Sequence, residues 1–229
     1  MAEPRPAWWV ERPSLEYQHA FDLCAVEVHR VQGPVAVFAS RPFFAREVLK
    51  RLTGCEAALV PIGSWGSSRE DVGGLLGPEA DAPVVRMAEC ARLQVRSVVW
   101  VEPQQQGGER ALDHIRRILP PDGKVCVIVS GWLARFLPEW RQVERRLAEP
   151  PAGLWWTFQR LRQAGLRVET LHGFHGLSSI LWSYAWRGLA RLGRDDWADR
   201  CHFQMRAQYA VSGLQAFTTP VGVGIARWQ

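Results

Sequence analysis

The chain has 229 residues, of which 47% are hydrophobic and 22% charged. That length and balance suit one globular α/β domain, or one domain carrying a sizeable insertion. The net charge of +5 rests on arginine, with lysine only at Lys50 and Lys124. No basic block resembles a nucleic-acid tail, so no nucleic-acid partner is expected.

Cys24, Cys55, Cys90, Cys126 and Cys201 are odd in number and show neither a CxxC pair nor metal-ligand spacing. They read as thiols of a reduced, cytoplasmic chain with no metal site. Residues Met1 to Ser14 lack the apolar stretch of an export signal, and no run of about 18 apolar residues occurs. The sequence contains no asparagine, a thermolabile residue, which points to a heat-adapted source.

In chain order, Met1 to Ser14 is proline-rich and carries Trp8 and Trp9, which either dock on the body or form a partner-binding arm. Leu15 to Val31 reads as a helix with Tyr17, Phe21, Cys24, Val28 and Val31 on one face, stopped by Gly33-Pro34. Val35 to Ala39 is a buried strand, Phe43 to Leu52 a helix, and Ala57 to Ile62 a second strand. Val84 to Met87 is expected as a short third strand and Ser97 to Val101 as a fourth.

The clearest step runs from Arg110 to Ser130. Leu112, Ile115, Ile118 and Leu119 recur at helical spacing, while Arg110, Asp113, Arg116 and Arg117 take the other side. Pro120-Pro121 ends that helix, Asp122-Gly123 turns, and Val125 to Val129 is a strand apolar on both faces, as at the centre of a parallel sheet. Trp132 to Leu147 is expected to be helical with a break at Pro138. Glu149 to Gly153 is a hinge, Leu154 to Ala164 a helix, and Leu166 to Leu171 a strand. Helices are expected over Ser178 to Leu192 and Asp195 to Tyr209, and a last strand over Val221 to Trp228. The units are thus an arm and helix (1–32), an α/β core (33–171), a Trp- and Arg-rich helical insertion (172–212) and a closing strand (213–229).

Ile118-Leu119-Pro120-Pro121-Asp122-Gly123-Lys124-Val125 resembles the helix, LxPGG turn and buried strand of class I S-adenosylmethionine-dependent methyltransferases. Leu161 to Leu171 is similar to that family's next step, with Gly173-Phe174 where a "GF" often follows. Ala88-Glu89-Cys90 stands where an acidic pair lies near the adenine. The resemblance covers about Gly33 to Leu171 plus the last strand. It implies a Rossmann-like, three-layer α/β sandwich, mostly parallel, with an antiparallel last strand.

The resemblance also implies S-adenosylmethionine as cofactor, held around Ser40, Arg41, Gly63, Ser64, Trp65 and Glu89. Where the family has D/E-x-G-x-G-x-G, this chain has Val37-Phe38-Ala39-Ser40-Arg41-Pro42-Phe43, and no acid closes the second strand at Pro61-Ile62. Two readings therefore stay open. One is methyl transfer to a small apolar or aromatic substrate. The other is a catalytically inactive pseudoenzyme that serves as a subunit or scaffold for a protein partner.

Glu102 follows the fourth strand, where open α/β sheets bind ligands, and reads as a general base or as a solvated loop acid. Ser40-Arg41 either meets an anion or supplies an N-cap serine beside an exposed arginine. His172 and His175, flanking Gly173-Phe174, are candidate bases or satisfied structural histidines. The stripe Leu177, Ile180, Leu181, Tyr184, Leu189 and Leu192, with Trp182, Trp186, Arg187, Arg191 and Arg194, reads either as a cap packed on the sheet or as an interfacial helix. The second option makes Leu177 to Arg194 a peripheral membrane contact.

Overall fold

The computed structural model describes residues 15–62, 82–103, 105–136, 153–174, 176–206, 210–212 and 218–229. Helix α1 (Leu15–Val31) ends where Gln32 and Gly33 take positive φ, 53° and 132°. It leads into β1 (Val35–Ala39), α2 (Pro42–Leu49) and β2 (Ala57–Pro61). A 3-10 helix (Met87–Arg92) precedes β3 (Ser97–Val101), α3 (Gln105–Ile118) and β4 (Lys124–Ser130). A second 3-10 helix (Trp132–Phe136), α4 (Leu154–Gln163), β5 (Leu166–Phe174), α5 (Leu177–Arg191), α6 (Asp195–Arg206), β6 (Ala210–Ser212) and β7 (Val221–Trp228) complete the order.

The seven strands form one sheet, ordered β2-β1-β3-β4-β7-β5-β6. Strands β2, β1, β3 and β4 are parallel neighbours, and β7 runs antiparallel between β4 and β5. Because successive strand residues point to opposite faces, β1, β3 and β4 feed two cores. Val37, Val99 and Ile128 pack with Phe21, Val28 and Phe44 of α1 and α2. Phe38, Trp100 and Val127 pack on the other side with Ile115 and Leu161 of α3 and α4. This is the three-layer, mostly parallel sandwich expected, with an antiparallel last strand.

Helix α4 lies so close to β7 that a side chain on Gly222 or Gly224 would have to displace those of the helix. A Cβ on Gly224 would sit 2.3 Å from Phe158 Cε1, and one on Gly222 2.6 Å from Leu154 Cδ2. Gly131, just past β4, is more constrained still, since a Cβ there would lie 2.0 Å from the Thr219 carbonyl oxygen.

Several expectations change. Val84 to Met87 is no strand: Val84 makes one parallel bridge to Leu59, and the chain then turns into a 3-10 helix. Trp132 opens a single short 3-10 helix, and 137–152 lies outside the described residues. The N-cap of α2 is Arg41, extended at φ −152° and with no side-chain cap bond, because Pro42 at the first helical position disfavours helical geometry in the residue before it. Ser40 is therefore not a capping serine. His172 belongs to β5 rather than to the helical insertion, which starts after it.

Of the stripe on α5, Ile180 packs in the core and most of the rest does not. Leu177, Leu181 and Leu192 are 62%, 64% and 77% exposed, while Ile180 and Ser183 are the buried side. Asp195 and Asp196 occupy the first turn of α6, where a carboxylate favours the helix dipole.

Candidate functional site

Parallel strands joined by crossovers end on one edge of the sheet. The register sets Ala39 beside Val101, and Val101 beside Ile128, so Ser40, Glu102 and Ser130 share that edge. Helix α1 runs back across the same face. Its Glu27 meets Lys124 at the start of β4, and its Tyr17 meets Ser130 at the end. Ten helical residues span about 15 Å and six strand residues about 20 Å, so helix and strand can be joined at both ends.

At this edge two hydroxyls close on one oxygen of Glu102. The Tyr17 hydroxyl donates to Glu102 Oε1. Ser130 donates to the same oxygen at 2.6 Å, and the two hydroxyl oxygens lie 2.5 Å apart. All three residues are buried, with Glu102 only 3% exposed. Glu102 takes φ 52°, a left-handed backbone that a non-glycine residue holds only when its surroundings fix it. Its N–H donates to the Ile128 carbonyl at 2.9 Å, and Pro103 follows.

Its second oxygen, Oε2, is buried and makes no hydrogen bond among the described residues. Burial pushes the carboxyl up to about 7, against the hydrogen bonds from Ser130 and Tyr17 and the nearby Arg41 charge, which hold it down. Burial, and then the Glu102 charge, pushes the Tyr17 hydroxyl well above its ordinary value, so it stays a donor. A carboxyl balanced near neutrality at a ligand-binding edge can take or give a proton.

Helices α1 and α2 share an aromatic group. The Tyr17 ring stacks on Phe44 at 4.9 Å, Phe21 meets Phe44 edge-on at 6.1 Å, and Phe43 contacts Phe44 at 5.7 Å. Ser40 is buried, and its Oγ has no hydrogen-bond partner among the described residues.

Of the residues singled out from sequence, Glu102, Ser40 and Arg41 come together here. Glu102 is no solvated loop acid. His172 is half-buried in β5, paired with Val223 and Ser212, and is not joined to the cluster. Glu89 is exposed on the first 3-10 helix, whose Cys90 packs in the core on the opposite face from Tyr17. Gly63, Ser64, Trp65 and His175 lie outside the described residues. Tyr17 and Ser130 went unnoticed as site residues: one reads as part of an apolar helix face, the other as a strand end. Among the described residues no group of three or more His, Cys, Asp or Glu could hold a metal ion.

In the family that the sequence resembles, S-adenosylmethionine lies over this edge, and the described residues of this chain do not reproduce the features that hold it there. Ala39, Arg41 and Phe43 stand at the glycine positions, and each adds a Cβ where backbone must approach the ligand. Phe44, on the helix that follows the loop, stacks on Tyr17, and Tyr17 is tied to Glu102. Strand β2 ends in buried Pro61 and Ile62, neither able to hold ribose hydroxyls.

No family profile and no curated protein matches the sequence. Solved structures do match in shape. An S-adenosylmethionine-dependent methyltransferase of Thermotoga maritima, described as a possible histamine N-methyltransferase, gives a TM-score of 0.54 at 11% identity, covering 93% of this chain and 92% of that one. A geranyl diphosphate C-methyltransferase of Streptomyces coelicolor gives 0.52 at 11% identity, over 99% of this chain and 86% of that one. A cyclopropane-fatty-acyl-phospholipid synthase-like protein of Lactobacillus casei gives 0.51 at 12% identity, over 98% and 94%. At such identities the likeness is one of fold, and the chain has the fold of the class I S-adenosylmethionine-dependent methyltransferases.

Proposed function

We propose that this chain is a non-catalytic relative built on the methyltransferase scaffold, one that works by binding rather than by methyl transfer. The observation that carries this reading is the loop after β1. Ala39, Arg41 and Phe43 replace the glycines, and Phe44, on the helix that follows, stacks on Tyr17, which is fixed through Glu102 and Ser130. Calorimetry and thermal-shift measurements with S-adenosylmethionine and S-adenosylhomocysteine test it. The expected result is neither heat nor a shift at millimolar ligand. Saturable binding of either compound overturns it.

One observation favours a second reading, methyl transfer to a small apolar or aromatic substrate. Glu102 keeps a buried carboxyl oxygen without a partner and titrates at about 7, which suits a base acting on a substrate hydroxyl or amine. This reading requires cofactor binding in the same calorimetry. It further requires that Glu102→Gln abolish turnover while leaving that binding intact.

A further inference from the structure

Large apolar side chains on the surface are not scattered. Among the described residues every strongly exposed one except Val26 and Trp155 lies in Trp132–Phe136 or in the α5–α6 hairpin. The two segments are neighbours. Tyr184 of α5 donates through its hydroxyl to the Phe136 carbonyl at 2.9 Å, and α5 packs on α6. Leu177, Leu181 and Tyr184 follow the spacing that keeps residues on one side of a helix. Trp197 and Phe203 on α6 are 53% and 68% exposed.

The cationic charge of these segments is arginine. The guanidinium of Arg135 lies 5.7 Å from the Trp132 ring centroid and 5.2 Å from that of Phe136, and Arg200 lies 5.4 Å from that of Trp197. Arg191 and Arg194 are exposed on α5 and at the hairpin turn. None of these four makes an ion pair among the described residues. Residues 177–206 hold five arginines and three aspartates, Asp195, Asp196 and Asp199, with neither lysine nor glutamate. Two of the aspartates sit in the first turn of α6, where the helix N-terminus offsets their charge.

We propose that these segments dock on an anionic lipid surface, with the leucines and Phe203 entering the acyl boundary and the arginines meeting lipid phosphates. A bilayer suits the combination. Tryptophan and tyrosine favour the headgroup level, and arginine can lay its stem on apolar surface while its charge stays in the polar layer. Such binding is peripheral, since no described helix is long and apolar enough to cross a membrane. It does not depend on whether S-adenosylmethionine binds.

Sedimentation of the full chain with vesicles tests the proposal. Vesicles of phosphatidylcholine and phosphatidylglycerol in equal parts should carry the protein down, and pure phosphatidylcholine should do so about tenfold less. Raising the salt should release it, as screening predicts. Leu177→Asp with Leu181→Asp should weaken anionic-vesicle binding by about a hundredfold, roughly tenfold per leucine lost from the boundary. Arg191→Gln with Arg194→Gln should weaken it by about tenfold. Both leucines are exposed, so circular dichroism melts of the variants should match the parent. A parent chain that stays in the supernatant with anionic vesicles overturns the proposal, including the case where these segments instead join a second copy of the chain in gel filtration. Binding that survives the leucine substitutions overturns it as well.

Discussion

Helix α1 fastens to both ends of β4, and a buried carboxylate lies at each junction, its own Glu27 at one and Glu102 at the other, under opposite conditions. At the start of the strand Glu27 lies 2.7 Å from Lys124 Nζ and also pairs with Arg30. Burial alone would raise that carboxyl, but the Lys124 bond and charge, with Arg30, outweigh burial and lower it. At the far end Glu102 has two hydroxyl donors and, among the described residues, no cation bonded to it, and burial wins. One carboxylate is neutralised and serves as a clasp. The other stays near the point of gaining a proton, on the edge where this sheet type binds ligands. Burial raises both carboxyls, but Glu102 is the more deeply enclosed and has no bonded cation among the described residues, whereas Glu27 has Lys124 and Arg30, and the two differences act together.

Breaking the clasp should have the largest effect. Lys124→Ala leaves Glu27 buried with only the Arg30 partner, and urea denaturation at neutral pH should show a loss of about 3 kcal/mol or more. Replacing both partners together, Glu27→Leu with Lys124→Met, should recover most of that loss, because an apolar pair of similar volume needs no desolvated charge.

The next effect is one of pH. Glu102 is raised from 4.5 to about 7 in the folded chain, so between those values the folded state holds more protons than the unfolded state. Stability should then fall as pH rises through that window, by about 3 kcal/mol from this group. Glu102→Gln should flatten the slope in denaturation series between pH 5 and 8. At pH 8 it should be the more stable form. Glu27 acts in the opposite sense: its lowered value contributes stability above the ordinary carboxylate range that is lost on acidification.

A smaller effect sharpens the comparison at one atom. Tyr17→Phe keeps the ring stack on Phe44 but removes one donor from Glu102. The cost should be about 1–2 kcal/mol at pH 8, where the carboxylate is charged, and less at pH 5. The steeper pH slope in the variant is the measurement. The surface pair Arg96–Asp122, with side chains 52% and 69% exposed, serves as the contrast. Asp122→Ala should change stability by no more than about 0.5 kcal/mol.

The scaffold was legible in the sequence wherever burial on both faces leaves a local trace. Val35 to Ala39, Ser97 to Val101 and Val125 to Val129 are continuous apolar or small-residue runs, and each lies in a fully buried strand. The Pro120-Pro121-Asp122-Gly123 turn is local as well. Glu102 was legible for the same reason, since its place follows from the end of a strand. Tyr17 was not. Its ring obeys the apolar pattern of α1, while its hydroxyl answers to Glu102, 85 residues away, and no local spacing couples them. The α5 stripe was legible as a stripe, but not which of its two readings holds. Amphipathic spacing shows that a helix has an apolar side, while what covers that side is decided by its neighbours, and here Ile180 of the stripe is buried with Ser183 while Leu177, Leu181 and Leu192 are exposed.

Strand β7 has a consequence for synthesis. It joins β4 to β5, yet it is translated after both, because β4 ends at Ser130, β5 at Phe174, and β7 begins only at Val221. A nascent chain must therefore carry two open strand edges through the making of α5 and α6 before the sheet can close. Unpaired edges are templates for pairing with other chains. Ribosome-bound or truncated forms ending before Val221 should be the species that aggregate, and their protection by chaperones, rather than the stability of the finished fold, should set how much protein a cell obtains.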